Sequence, residues 1–329
     1  MAFKLIKGRF HVKQYSPDGD SIRFQPDDAA LLHSLTNFNG FRPRINARGH
    51  VQLRIEAIDT LETHYSPPSG GGVYHQPDQL AHAAMDRLLA FTGITDVQWD
   101  TAHSAVLSAN DATRGYVLSR AIEKNGRPIA FVFAGEAPET DGADVFLDPA
   151  RLSQSYNHAA LAEGLAYPTY YKGLFNDLRD HLSAAVREAR AANRGLWSID
   201  STSAGFDATE LRVITADVAI LPKLFRRLCE YMVSYGTAVG FKQKLNQSRE
   251  PVLDLRAQNF THFDTFIAQD EDGTNIRLTC NPEDLVFDEM PQRPANQFSA
   301  LMGEETSAPP RFVRTLTLPP EAVFDISTY

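Results

Sequence analysis

Two apolar runs, YVLSRAI (116–122) and RPIAFVF (127–133), are separated only by EKNG, and this spacing leaves the chain few choices. An Asn-Gly pair between β-prone runs is the strongest short-range hairpin signal, because both residues accept the positive φ that a two-residue turn requires. An antiparallel sheet is therefore expected, and further strands should join it. Segments rich in alternating or β-branched residues place them at about Phe10–Tyr15, Ser21–Gln25 and Val51–Ile58. Helices fit the gaps. QPDQLAHAAMDRLLAF starts one near Pro77, with Leu80, Ala84, Leu88 and Phe91 on one face and Gly93 at its end. SYNHAALAEG is a short helix closed by Gly164, and a longer one runs from about Phe175 to Asn193. Five short antiparallel strands with helices packed on one side suit a small Greek-key β-barrel with helices, of the OB-fold type. Two long loops, Pro26–Arg48 and Thr63–Gln76, are of a length that is usually functional or mobile.

After STSAG (201–205) the pattern restarts. LPKLFRRLCEYMVSYG is an amphipathic helix with Pro222 in its first turn and Gly236 past its end. Strands are expected on either side of a DEDGTN hairpin tip, and RFVRTLTL reads as a last strand after a Pro/Ser/Ala-rich linker at about 291–310. At 329 residues the chain has the length of two ordinary domains. The expected division is a barrel domain over 1–200 and an α+β unit over 201–329, the first folding independently of the second.

Charge bears on partners. Residues 1–200 carry 20 Lys+Arg against 23 Asp+Glu, and residues 201–329 carry 12 against 18. Neither half has the basic excess usual in nucleic-acid binders, so a polyanion would need a local patch, such as Arg42, Arg44 and Arg48, and its binding would be salt-sensitive. Two cysteines are too few for a disulfide framework. The start, MAFKLIKGRFHVKQY, has no apolar run of signal-peptide length and no segment is long enough to span a bilayer. No membrane partner and a cytoplasmic location are expected.

Chemistry concentrates in SPDGDSIRF, LRIEAIDTLET and the NGR turn. Arg54 and Asp59 are five apart, so a regular strand would send them to opposite faces. The strand must therefore bulge or end near Ile58 if both are to serve one site. Asp20, Asp59 and the main-chain carbonyl near Thr60 are hard oxygen ligands suited to calcium. Glu62 beside them is placed to act as general base, and Arg54 and Arg127 to grip phosphate oxygens and stabilise the charge that builds as water attacks phosphorus.

Taken in order, these pieces resemble the staphylococcal nuclease, or thermonuclease, family over roughly residues 5–200. DGDS resembles its DGDT motif, RIEAIDTLET its strand ending in Asp-Thr-Pro-Glu-Thr, NGRPIAFVF its Tyr-Gly-Arg strand, and EGLAYPTYY its helix end followed by nucleotide-contacting tyrosines. NRGLWS closes the domain in the family's manner. The resemblance implies a calcium-dependent endonuclease on an OB-fold, hydrolysing DNA and RNA with single strands preferred. Asp20, Asp59 and Thr60 would then bind calcium, Arg54, Glu62 and Arg127 would be catalytic, and Tyr170, Lys172 and Lys124 would contact substrate. Leu61 stands where the motif has proline, and Asn125 where it has tyrosine. The alternative is a nuclease-fold module that binds nucleic acid or a protein without cutting. Bland readings compete residue by residue. Asp20 can be a turn aspartate, Arg54, Asp59 and Glu62 a buried ion-pair network, and Arg127 a solvated hairpin arginine. His64, His75 and His82 are spaced too irregularly for a zinc site and read as surface residues.

Overall fold

A computed structural model describes residues 2–35, 40–101 and 105–288. Five strands precede the first long helix: β1 (Phe3–His11), β2 (Arg23–Pro26), β3 (Val51–Gln52), β4 (Arg54–Ile55) and β5 (Ile58–Thr60), with the short helix α1 (Ala30–Ser34) between β2 and β3. Helix α2 (Asp78–Phe91) leads to a hairpin, β6 (Thr95–Trp99) and β7 (Val106–Asn110), and then to β8 (Thr113–Ile122), β9 (Pro128–Ala134) and β10 (Asp144–Val145). Helices α3 (Pro149–Leu152), α4 (Tyr156–Ala162) and α5 (Asn176–Ala191) follow, with β11 (Ala166–Pro168) and β12 (Tyr170–Tyr171) between the last two.

The main sheet runs β3-β2-β1-β8-β9-β4. Its two edge strands flank Leu53 in one stretch of chain, which pairs with β2 on one side and, in parallel, with β9 on the other. The sheet thus bends round until the same segment supplies both edges, giving a nearly closed barrel with helices packed on it. Buried Phe10, Phe24, Leu53, Val117 and Phe131 belong to its core. The Asn-Gly hairpin joins β8 to β9 as the sequence predicts.

The first strand differs from the expectation: it starts at Phe3 and ends at His11, short of Tyr15. Gly8 hides it in the sequence, since a glycine inside a strand reads as a break. Here the glycine is required, because a Cβ at this position would lie 2.2 Å from the Gln25 carbonyl oxygen and 2.6 Å from the Phe24 ring.

Beyond residue 200 come β13 (Phe206–Asp207), α6 (Pro222–Tyr235), α7 (Phe241–Ser248), β14 (Pro251–Asp254), β15 (Asn259–His262), β16 (Ile267–Gln269), β17 (Asn275–Leu278) and β18 (Leu285–Phe287). Pro222 opens α6 and Gly236, at φ 70°, ends it. DEDGTN is the tip between β16 and β17, where Asp270 Oδ1 accepts from the Thr274 and Asn275 amides at 2.8 and 3.0 Å. This segment packs directly on the first half: β18 lies parallel to β12, with Tyr171 opposite Phe287, and Arg190 forms a two-bond pair with the buried Glu283 at 2.7 and 2.6 Å. The described residues form one compact unit. The linker and the RFVRTLTL strand expected further on lie outside the described residues. Among the described residues no helix is long and apolar enough to cross a membrane.

Candidate active site

The geometry starts from a turn. Between β4 and β5 the chain reverses its facing at Glu56–Ala57, and Ala57 has φ 69°, a left-handed conformation that costs an alanine about 1 kcal/mol. This is the interruption that the Arg54–Asp59 spacing demands. Asn157, a fully buried residue of α4, holds it: Nδ2 donates to the Glu56 and Ala130 carbonyls at 2.7 and 3.2 Å, and Oδ1 accepts from the Val132 amide at 2.9 Å. Past the turn, β5 leaves the barrel and pairs with β11, so that Asp59 and Thr60 sit on a two-stranded ribbon, both almost fully buried.

The Asp18–Asp20 loop is pressed against this ribbon. A Cβ on Gly19 would meet Thr60 Oγ1 and Ala84 Cβ at 2.8 Å each, so only glycine lets the two segments approach. The Tyr156 hydroxyl, donating to the Gly19 carbonyl at 2.7 Å, fixes the loop in place. Four carboxylates, of Asp18, Asp20, Asp59 and Glu62, therefore gather at one end of the barrel. The crowding shows in the acidity of Asp18, Asp20 and Glu62. Burial, with repulsion from Asp59 and Glu62, pushes the Asp20 carboxyl up to about 7, although Arg226 and Arg127 pull it down. Burial likewise raises Glu62, opposed by Arg226. Asp18 too is raised, by burial and by its neighbours Asp20 and Glu62.

Arg127 faces Asp20 and Glu62 from the hairpin. Its Nε donates to Glu123 Oε1 at 3.2 Å, and the same buried carboxylate accepts from the amides of Asn125 and Arg127, so Glu123 shapes the tip. Arg54 takes a different station: its guanidinium lies 4.3 Å over the Tyr171 ring, and its charge acts on Glu56. The expected substrate contact of Tyr170 needs correction. Tyr170 is fully buried and its hydroxyl pairs with Ser183 Oγ at 2.9 Å, so it is a core residue. Side chains alternate along a strand, and the half-buried neighbour Tyr171 takes the station beside Arg54. Lys172 is exposed and pairs with Asp288 at 3.3 Å, and Lys124 is exposed on the hairpin. Thr60 Oγ1 is buried without a hydrogen-bond partner.

Sequence reasoning missed the residue that dominates this carboxylate cluster. Arg226, from α6, donates Nη1 to Asp59 Oδ1 at 3.0 Å and Nη2 to Asp59 Oδ2 at 2.8 Å, and Nη1 also bonds Glu62 Oε1. One signal was available: Arg226 is four residues from Pro222 and three from Cys229, both buried, so it is a charge within the helix's apolar stripe. The arrangement also bears on calcium. Both oxygens of Asp59 and one of Glu62 bond a guanidinium, so a calcium ion held by those oxygens would compete with Arg226 for them.

Arg44 lies against the Arg127 hairpin. The Arg44 amide donates to the Gly126 carbonyl at 2.8 Å, which seats the 41–50 loop beside the Arg127 hairpin. Arg23 and Arg48 lie over the Tyr15 ring at 4.8 and 5.5 Å. Set against models of known protein families and against curated protein sequences, the chain matches none.

Proposed function

We propose that this cleft is a phosphodiesterase site, in a thermonuclease-like OB barrel, that hydrolyses DNA and RNA with single strands preferred. One observation carries the reading: the Ala57 turn and the Gly19 loop bring Asp20, Asp59, Glu62 and Arg127, from three distant stretches, to the same end of the barrel. In the reaction a water oxygen attacks phosphorus and Glu62 takes the water's proton. The bond from phosphorus to the leaving oxygen then breaks, and that oxygen leaves with a proton from solvent. Arg127 meets the negative charge that develops on the phosphoryl oxygens. The stacked pair of Arg54 and Tyr171 offers a cation and a ring face to the adjoining nucleotide. Calcium is what the motif resemblance implies, but no step here is routed through it, because Arg226 holds the oxygens it would need.

The alternative, a nuclease-fold module that binds without cutting, is favoured by one specific feature: Arg226 partly neutralises the base and the ligand set. One experiment separates the two. Single- and double-stranded DNA and RNA are incubated with the protein in calcium, in magnesium and in chelator. Cleavage that Glu62→Gln abolishes supports the enzyme. Binding of the same oligonucleotides with no cleavage in any condition supports the module instead.

A further inference from the structure

Two of the four carboxylates of this site, Asp59 and Glu62, are already bridged by a cation, and that cation belongs to the chain. Arg226 meets Asp59 with two parallel bonds, at 3.0 and 2.8 Å, and reaches Glu62 with the same guanidinium. A divalent ion shared by Asp59 and Glu62 would meet the positive guanidinium at these same oxygens, so the two cations compete for one place. The contact is built into the fold. Helix α6 is anchored by Leu224, Phe225, Leu228 and Cys229, all fully buried. Tyr65 packs edge-on to Phe225 at 6.0 Å and donates its hydroxyl to the Arg226 carbonyl at 3.3 Å. Gln76, fully buried, accepts from the Glu62 amide at 3.3 Å and donates to the Ile220 carbonyl at 2.7 Å, tying the base to the start of the same helix. These contacts fix the backbone of α6, so the stem of Arg226 starts beside Asp59 and Glu62 in every state that keeps the helix packed. A guanidinium also stays charged at every physiological pH.

We propose that Arg226 is a built-in counter-cation standing in the place of a divalent metal ion, so that the cleft assembles without calcium, and that removing the guanidinium turns Asp20, Asp59 and Glu62 into a calcium site. The inference uses the phosphodiester reading only to say which class of ion these oxygens would otherwise take. It does not depend on cleavage.

The test is calcium binding to the full chain by isothermal titration calorimetry, with thermal unfolding in parallel, on wild type, Arg226→Met and Arg226→Lys. Wild type should take up no calcium at concentrations up to about 1 mM and its Tm should not move, because Arg226 holds the Asp59 and Glu62 oxygens. Arg226→Met keeps the apolar stem but leaves buried carboxylates uncompensated. It should unfold roughly 5–10 °C lower in chelator, bind one calcium at least about tenfold more tightly than wild type, and regain part of its Tm with the ion. Arg226→Lys keeps the charge without the fork and should fall between the two. One-site calcium binding by wild type with a rise in Tm overturns the proposal. So does an Arg226→Met protein that is as stable as wild type and blind to calcium. If Arg226→Met fails to fold, the wild-type titration decides: uptake overturns the proposal and no uptake upholds it. Cleavage measured in the same samples reports separately on the phosphodiester reading, since an inactive protein with this calcium behaviour keeps the counter-cation and loses the enzyme.

Discussion

On the phosphodiesterase reading Glu62 has two jobs that pull against each other, and its substitution separates them. As a base it must shed Arg226 enough to take a proton; as a buried carboxylate it depends on that arginine. Glu62→Gln keeps the shape and can still meet Arg226 through its amide oxygen. Turnover of single-stranded DNA should therefore fall about 10²–10⁴-fold, the usual worth of a positioned base, while the fold survives. Cleavage by Glu62→Gln at the wild-type rate would place the base elsewhere. Asn157 acts one step back. It satisfies one amide and two carbonyls around the left-handed Ala57 turn. Asn157→Ala strands those groups in the interior and should cost about 2–3 kcal/mol, read as a lower urea midpoint at unchanged m. A loss under about 0.5 kcal/mol would show that the turn stands without it. Legibility at this scale was uneven. The carboxylates and Arg127 sit in local motifs, and the need for a break before Asp59 followed from the period of a strand. Asn157 and Arg226 act across 101 and 167 residues, and no local pattern says which partner they reach.

At the scale of elements, those with chemical punctuation were legible. Pro77 opens α2, Gly164 closes the turn after α4, and Pro222 and Gly236 bound α6. The β6–β7 hairpin went unseen because register shifts interrupt its pairing and Asp96 adopts φ 55° within β6, which breaks the alternation a strand should show. The end of β1 carries a further consequence for pH. His11 stacks on His50 at 4.1 Å and lies 3.6 Å from Asp111, while Tyr15, Arg23 and Arg48 complete the surroundings. Burial, with repulsion from His11, Arg48 and Arg23 and only Asp111 opposing, lowers the His50 imidazole to about 4. Unfolded, it would titrate near its ordinary value of about 6.5. Between these values the unfolded chain binds the proton that the folded one refuses, so this group's contribution to stability is lost as pH falls from 6.5 toward 4. In urea titrations His50→Gln should lack that contribution. The difference in stability, wild type minus variant, should then be largest near pH 7 and shrink on acidification. A difference independent of pH would mean that His50 titrates alike in both states.

For the whole molecule the question is whether the barrel half can stand alone. The sequence suggested that it can: every family-like motif falls before residue 200, and the small polar stretch at 201–205 reads as a boundary. Charge points the same way, since the second half is the more acidic and should repel a polyanion. Packing argues against it. Removing everything after Thr202 deletes Arg226 from beside Asp59 and Glu62, Glu283 from Arg190, and β18 from the edge at Tyr170–Tyr171. The first loss leaves a cluster of four carboxylates with Arg127 as the remaining arginine facing it, and breaking a buried pair of this kind costs about 3–5 kcal/mol. The second loss strips another buried pair, and the third bares unpaired backbone along a strand, which invites aggregation. Against a total stability of about 5–15 kcal/mol, these losses together decide the outcome. A chain ending at Thr202 should therefore be insoluble or partly unfolded at neutral pH, visible as lost near-ultraviolet circular dichroism and early elution in gel filtration. Calcium offers a discriminating rescue, because with Arg226 gone the carboxylates are open to it. If the shortened chain is monomeric, cooperative and indifferent to calcium, then residues 203–288 are a passenger on a self-sufficient barrel and Arg226 is not what holds the cleft together.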